Sequence, residues 1–482
     1  MASSNDARER AHTYFTLTTG MCRECRRLVD AKIVIRDGRV FQQNVCPDHG
    51  VREALIAEDA ARYLELVRIP GRHRPPTAYS KPAESGCPLD CGLCSFHVQA
   101  CNLPVVSITN ACDLECPICF TYNRKDKIYF MSPEELGRTV DWIVESSGPV
   151  DLINITGGEP GLHPRLPEML DRCRRPEIGR ITMNTNGLEL ARDRGLAQEL
   201  AGRGIYTVLS FNTYDGATCA TMHGRDILAE KRKALEVLAK HAVPTTLLNV
   251  MIRDVNDGEI GRIIDTAIRE DFIRSVTIQT MTYTGFGGRK FGPRAHLPVD
   301  GVLERIERQT SGAICKSDFI PLPSAHPLCY AVAMLLTDGG GGFVPLARAI
   351  RPDVLRRILE TGYLPHPEEA FAEAANRAIA ELWARPDRSP EDDRFLKIAR
   401  RILDDTYPRG VNLTPHQRQA RAEKYIKTIY VHAHMDEDTF DVDRARRCGD
   451  LVPDRPGSLI SACTYNLFYR QKDERYWKED GS

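Results

Sequence analysis

Neither sign of charge prevails in this chain, and no stretch of it stays apolar for long. Lys and Arg number 65 against 66 Asp and Glu, a formal net charge of −1. That balance removes the electrostatic reason to expect nucleic acid or an anionic surface as partner, and there is no basic domain of the kind a nucleic-acid binder carries. No apolar run is long enough to span a bilayer, which leaves peripheral membrane contact open. The first eight residues, Met1 to Arg8, lack the apolar core of a secretory signal, so a cytoplasmic location is expected. There is no long low-complexity tract, and Gly339 to Gly342 make only a local turn or loop.

What is present is a chain of 482 residues, 42% hydrophobic and 27% charged, sized for two or three globular domains. It holds 16 cysteines. In a chain this long, and in C-x-x-C clusters, they point to metal and a reducing compartment rather than to disulfides.

The first group is Cys22-x2-Cys25 with Cys46-x2-His49. Between the pairs, apolar residues alternate on both sides of Asp37-Gly38, a strong hairpin signal. The hairpin would bring Cys22, Cys25, Cys46 and His49 together around one tetrahedral ion, zinc or a single iron. Residues 1–70 are read as this metal domain, with a helix over 53–68, and 70–82 as a proline-rich linker. Within 71–103 a second group, Cys87, Cys91 and Cys94, is followed by Cys101. Four cysteines suit an auxiliary [4Fe–4S] cluster; a zinc knuckle is the other reading.

The third group, Cys112, Cys116 and Cys119, has the same C-x3-C-x2-C spacing. Three thiolates can hold a [4Fe–4S] cluster while one iron keeps an open position. Spacing alone does not distinguish the two triads, but context does: residues 104–109 read as a buried strand, which puts this loop at a strand's C-terminal end. From there to 290, strands over 104–109, 151–156, 180–184, 206–211, 245–251 and 275–281 alternate with helices. This predicts a parallel sheet of six βα units. The second strand ends in Gly157-Gly158-Glu159-Pro160; the glycines let backbone approach a ligand closely, and the carboxylate can accept from a ligand ammonium. Beyond 290 the pattern is mainly helical over 352–405, with a helix-like stretch at 416–434. There Cys329, Cys448 and Cys463 can converge on a further cluster, while Cys173 and Cys219 look structural.

The cysteine loop followed by Phe120, one strand ahead of Gly157-Gly158-Glu159-Pro160, resembles the signature of the radical S-adenosylmethionine (SAM) superfamily. The resemblance implies an α/β fold: a partial (β/α)6 barrel over 104–290, with an N-terminal rubredoxin-like domain and a C-terminal α-rich auxiliary-cluster region over 291–482. It implies SAM bound by Gly157, Gly158, Glu159 and Pro160, with Asn186, Ser210 and Asn249 on its ribose, carboxylate or adenine. It also implies a 5′-deoxyadenosyl radical that takes hydrogen from an unactivated carbon, and a reductant such as ferredoxin or flavodoxin. Taken with the N-terminal site and the terminal Cys463-Thr464-Tyr465-Asn466, the order of motifs resembles the family of the archaeal tetraether lipid synthase. That family also holds cobalamin-independent (class D) radical methylases. Carbon–carbon coupling of lipid chains is therefore the first expectation, with methylation of a pterin-like or other heterocycle second and an iron–sulfur electron carrier third. An apolar tunnel would favour lipid; a polar, aromatic-lined pocket would favour a heterocycle. Two or three [4Fe–4S] clusters and one mononuclear iron or zinc are implied. Two positions depart from the family, Ser324 and Cys448-Gly449, so Ser324 or Cys315 supplies a fourth ligand to the last cluster or that cluster is incomplete.

Overall fold

The computed structural model describes residues 12–121, 127–292, 294–360, 362–364 and 369–476. Its N-terminal part is a four-stranded antiparallel sheet of β1 (Thr13–Met21), β2 (Leu28–Arg36), β3 (Arg39–Cys46) and β4 (Gly50–Ala57), in that order. Asp37 and Gly38 both take positive φ, 51° and 70°, the geometry of a hairpin turn that matches strand twist. The helix expected over 53–68 is shorter and starts later. Residues 50–57 are drawn into the sheet by pairing with β3, from Cys46 opposite Gly50 onward, so tertiary pairing overrides the helix propensity of Glu53-Ala54-Leu55. The helix itself, α1 (Ala60–Leu66), is capped by Asp59.

The rest of the chain is built on one twelve-stranded sheet. Its centre is the expected parallel run of β5 (Leu103–Thr109), β6 (Ile153–Gly157), β7 (Ile181–Thr185), β8 (Tyr206–Ser210), β9 (Thr245–Met251) and β10 (Ile273–Thr280). The crossovers carry α2 (Pro133–Ser147), α3 (Leu166–Arg172), α4 (Leu188–Arg192), α5 (Arg194–Gly202), α6 (Gly216–His223), α7 (Leu228–Lys240) and α8 (Ile260–Arg269). Ser132 caps α2 by accepting from the Glu135 amide at 3.1 Å, and Leu136, Val140 and Ile143 turn its apolar stripe onto the sheet.

The sheet does not stop at residue 290. β11 (Ile320–Pro321), β12 (Tyr330–Thr337), β13 (Phe343–Pro345) and β14 (Ile426–His432) extend it beyond β10; β15 (Asp450–Arg455) and β16 (Ser458–Ser461) extend it beyond β5. The helix-like stretch at 416–434 is thus a helix only over Pro415–Ala422, and then β14, parallel to β10. β14 is buried along nearly its whole length, so it shows no alternation. The Tyr330 hydroxyl of β12 donates to the Asp450 carboxylate of β15. This bond spans the two wings of the sheet, as do the Met435 amide on Cys463 Sγ at 3.2 Å and the approach of His432 to Asp450.

The N-terminal sheet docks on the segment after β14. Gln42 Nε2 donates to the Phe440 carbonyl at 2.7 Å, Asn44 Nδ2 to the Asp438 carbonyl at 2.9 Å, and Thr18 Oγ1 to Asp441 at 2.9 Å. Among the described residues, no helix is long and apolar enough to cross a membrane.

Candidate active site

The loop of Cys112, Cys116 and Cys119 leaves β5 and lies directly on the glycine turn that ends β6. The Gly158 amide donates to the Thr109 carbonyl at 2.8 Å, and the Glu159 amide to the Ala111 carbonyl at 2.7 Å. A Cβ on Gly157 would stand 2.0 Å from the Thr109 oxygen, and one on Gly158 2.2 Å from the Ala111 oxygen. Both contacts are with backbone, so only glycine fits. Burial pushes the Cys112 and Cys116 thiols up to about 12. As free thiols they stay protonated; a bound metal is what would make them thiolates.

All three cysteines line one cavity of about 340 Å³ that runs through the barrel interior. Its walls are the inward side chains of the strands: Asn154 and Thr156 of β6, Thr182 and Asn184 of β7, Val208 and Ser210 of β8, Thr246 and Leu248 of β9, Thr277 and Gln279 of β10. Successive residues of a strand face opposite ways, which fixes who reaches the interior. A closed barrel fills such positions with apolar layers; here hydroxyls and amides are interspersed with the aliphatic Val208 and Leu248, and with Leu103 and Val105 of β5. Thr182 Oγ1 donates to Asn154 Oδ1 at 3.0 Å, while Asn184 Oδ1 is buried with no partner among the described residues.

Of the SAM contacts expected, Gly157, Gly158, Asn186 and Ser210 line this cavity; Glu159, Pro160 and Asn249 do not. Asn249 has the wrong parity. It lies between the inward Leu248 and Val250 and donates to the Phe211 and Asn212 carbonyls. The Glu159 carboxylate points beneath the strand ends, fully buried, and accepts from Thr185 Oγ1 (2.8 Å), the Asn186 amide (2.7 Å) and the Gly161 amide (3.1 Å). Burial pushes it up to about 7 against those three donors. Its work is to hold β7's end beside the turn.

Two residues below the loop were not foreseen. Lys231 is buried, with Nζ 2.6 Å from both the Asn186 and Ser210 carbonyls, and burial lowers it to about 8 while Cys116 and Glu159 oppose the shift. It shares α7's buried face with Leu228, Ala234, Val237 and Leu238, and a lysine in an apolar stripe is the signal a helical wheel would have given. His223 Nδ1 lies 3.3 Å from Cys116 Sγ; burial lowers its ring to about 3.

The far wall is aromatic. Phe120 stacks on His434 (5.6 Å between centroids), His434 leans on His432 (4.1 Å), and His432 stacks on Tyr330 (3.9 Å). Tyr363 and Tyr430 stack beside them at 5.5 Å. All six rings line the cavity, as does Asp450.

Most of the remaining cysteines fall into three sets, with Cys173, Cys219 and Cys315 outside them. Cys22, Cys25, Cys46 and His49 place their ligand atoms within 4.8 Å of one another. The separations are 3.5 Å from Cys22 Sγ to His49 Nδ1, 3.4 Å from Cys46 Sγ to the same nitrogen, and 3.9 Å between Cys25 and Cys46 sulfurs. A tetrahedral zinc with Zn–S of about 2.3 Å needs edges of roughly 3.5–3.8 Å, so the donors present fit one ion. The Arg27 guanidinium on Cys25 lowers that thiol to about 6. Cys87 and Cys91 are close enough to shift each other's thiols in opposite directions, and Cys94 adds to the rise at Cys91. Cys101 is fully buried and feels chiefly Asp450 and Arg74. Cys329, Cys448 and Cys463 influence one another, and Arg444 lies 3.4 Å from the Cys329 sulfur. Cys315 is engaged elsewhere, with the Gly312 carbonyl and Arg348, whereas Ser324 is buried and its hydroxyl has no partner among the described residues. His434, 3.6 Å from Cys463 Sγ, is a donor the sequence reading omitted. Cys173 and Cys219 are buried in the layer of helices.

Against known proteins, residues 106–267 match the model of the radical SAM superfamily, and residues 14–58 that of an HMPTM N-terminal zinc ribbon domain. The chain is similar to a 7,8-dihydro-6-hydroxymethylpterin dimethyltransferase of Methanocaldococcus jannaschii, 27% identical over 489 residues, 95% of this chain and 94% of that protein. It is also similar to a probable GTP 3′,8-cyclase of Pyrococcus abyssi, 32% identical over 160 residues, 33% of this chain and 50% of that one. Among solved structures, Streptococcus suis SuiB with its precursor peptide SuiA overlaps at 20% identity and a TM-score of 0.38, covering 45% of this chain and 46% of that one.

Proposed function

We propose, from the premise that this chain is a radical SAM enzyme, that it methylates carbon on a pterin-like heterocycle. One observation carries the choice: six aromatic rings, Phe120, Tyr330, Tyr363, Tyr430, His432 and His434, line one cavity together with Asn, Thr and Ser side chains, among aliphatic residues such as Val105, Val208 and Leu248. The full-length similarity to a pterin dimethyltransferase supports the same reading. Lipid-chain coupling, the first expectation from sequence, has no such support.

In this reading Cys112, Cys116 and Cys119 hold a [4Fe–4S] cluster, and the backbone at Gly157 and Gly158 meets the SAM amino group. That pair supplies, when bound, a 5′-deoxyadenosyl radical for hydrogen abstraction. The chain's own part is placement. Glu159 anchors Thr185 and Asn186 at the cavity's edge, Asn186 and Ser210 contact SAM, and Lys231 fixes both of their carbonyls from below. The Phe120–His434–His432–Tyr330 wall offers faces on which a flat ring can lie. Cys87, Cys91, Cys94 and Cys101, and separately Cys329, Cys448 and Cys463, are assigned to auxiliary clusters. Cys22, Cys25, Cys46 and His49 are assigned to zinc.

The test is anaerobic incubation with SAM, a reductant and 7,8-dihydro-6-hydroxymethylpterin, read by mass spectrometry for 5′-deoxyadenosine and methylated pterin. Deuterated pterin and deuterated lipid chains are supplied in parallel. Methylated pterin is expected. Deuterium entering 5′-deoxyadenosine only from the lipid would return the assignment to chain coupling. Efficient electron delivery to a partner with no hydrogen transfer at all would make the protein an electron carrier.

A further inference from the structure

Asp450 is a buried carboxylate, 5% exposed, on the wall of the cavity that also holds Cys116 and Gly158. Burying such a group costs free energy unless donors meet it. The Tyr330 hydroxyl donates to its Oδ2, and His432 Nε2 stands 3.6 Å from the same atom, beyond hydrogen-bond length. Among the described residues Oδ1 has no hydrogen-bond partner and no Lys or Arg forms an ion pair with Asp450. A carboxylate offers about four lone-pair sites, so this one keeps acceptor capacity on the side that meets the cavity. The rings of Tyr330, Tyr363, Tyr430 and His432 stand beside it along the same wall.

We propose that Asp450 is the specificity-determining residue for the substrate, reading a pair of adjacent N–H donors on one edge of a flat heterocycle that lies along those rings. This rests on the reading of the substrate as a pterin, whose N3–H and 2-amino group are such a pair. Both donors can reach the two oxygens in parallel; burial raises the free Asp450 carboxyl to about 7, and the two donors would favour its ionised form, giving the strong bidentate arrangement. A site built to pair with donors rejects analogues that lack them, because its own buried group is then left unpaired.

The experiment measures binding to the full, iron-loaded chain under anaerobic conditions. The probes are 7,8-dihydro-6-hydroxymethylpterin, the corresponding lumazine with oxygen in place of the 2-amino group, and the N3-methylated pterin. The wild type should prefer the pterin by about tenfold to a hundredfold over either analogue, the range for one hydrogen bond to a charged group. Asp450→Asn should lose that preference with its iron content and visible spectrum unchanged. A variant that keeps the preference overturns the assignment, and so does one whose cluster spectrum changes, since Asp450 would then serve the neighbouring cysteines. Should the variant not fold, equal wild-type affinity for the pterin and its N3-methyl form overturns it without any substitution. Binding of no pterin by the wild type instead removes the substrate reading itself.

Discussion

Gly158 shows how little room the cysteine loop has. Gly158→Ala would force a methyl against the Ala111 carbonyl, 2.2 Å away, and neither backbone can yield cheaply. We expect the variant to lose iron from the Cys112 set and all 5′-deoxyadenosine formation, both read on anaerobically purified protein; normal SAM cleavage would mean the loop can lie elsewhere. Triple alanine replacement of Cys112, Cys116 and Cys119 should also abolish cleavage while sparing the iron of the other sets. Lys231→Met tests the buried ammonium. Two carbonyls would lose their donor at about 1–3 kcal/mol each, and a cluster on Cys116 would lose a nearby positive charge. Chemical denaturation should show the first, and a more negative midpoint potential the second. An unchanged potential would leave Lys231 a purely structural clamp. The cysteines and the glycine turn were legible in sequence because their spacing is local. Glu159 was read as facing the ligand, yet burial and three donors turn it inward. Asp450 was invisible, because nothing local distinguishes it and its place depends on a strand pairing across more than half the chain.

At the scale of elements, the six parallel strands were legible from alternation with helices, and β14 was not, since burial on both faces erases the period that marks a strand. Asn249 fell on the wrong side for the opposite reason: its strand was right, but a period of two makes a one-residue error in facing complete. The segments after β10 and after β14 are clipped together by His296 Nε2 and Asp436 Oδ2 at 3.0 Å. Burial alone would lower the histidine, but the Asp436 carboxylate outweighs it and the ring is raised; Asp436, though buried, is held well below the usual carboxylate range chiefly by His296. A raised histidine stabilises fully below its unfolded value of about 6.5, and the contribution is lost as pH climbs through the folded value. A depressed aspartate stabilises above about 3.9, and that is lost as pH falls through its folded value. The clip therefore works fully between about pH 4 and 6.5. Melting temperatures should fall more from pH 6 to 8.5 in the wild type than in His296→Gln; parallel curves would refute the clip.

For the whole molecule, the N-terminal ribbon supports the cavity wall as well as carrying the four gathered donors Cys22, Cys25, Cys46 and His49. It holds the 438–441 segment through Gln42, Asn44 and Thr18, a few residues beyond His434 on the cavity wall. On the zinc and pterin assignments proposed above, Cys46→Ser should release one zinc per chain, lower the melting temperature and weaken pterin binding, with the iron count intact, because structural zinc contributes directly to folding. Tight pterin binding by the zinc-free chain would separate the ribbon from the site. The Tyr330–Asp450 bond bears on how the protein is made. Translation runs from the N-terminus, so the loop of Cys112 to Cys119 leaves the ribosome long before either partner of that bond exists. On the cluster reading proposed above, iron and sulfide would meet a barrel that still lacks β12, β14 and β15, and those strands would complete the cavity wall afterwards.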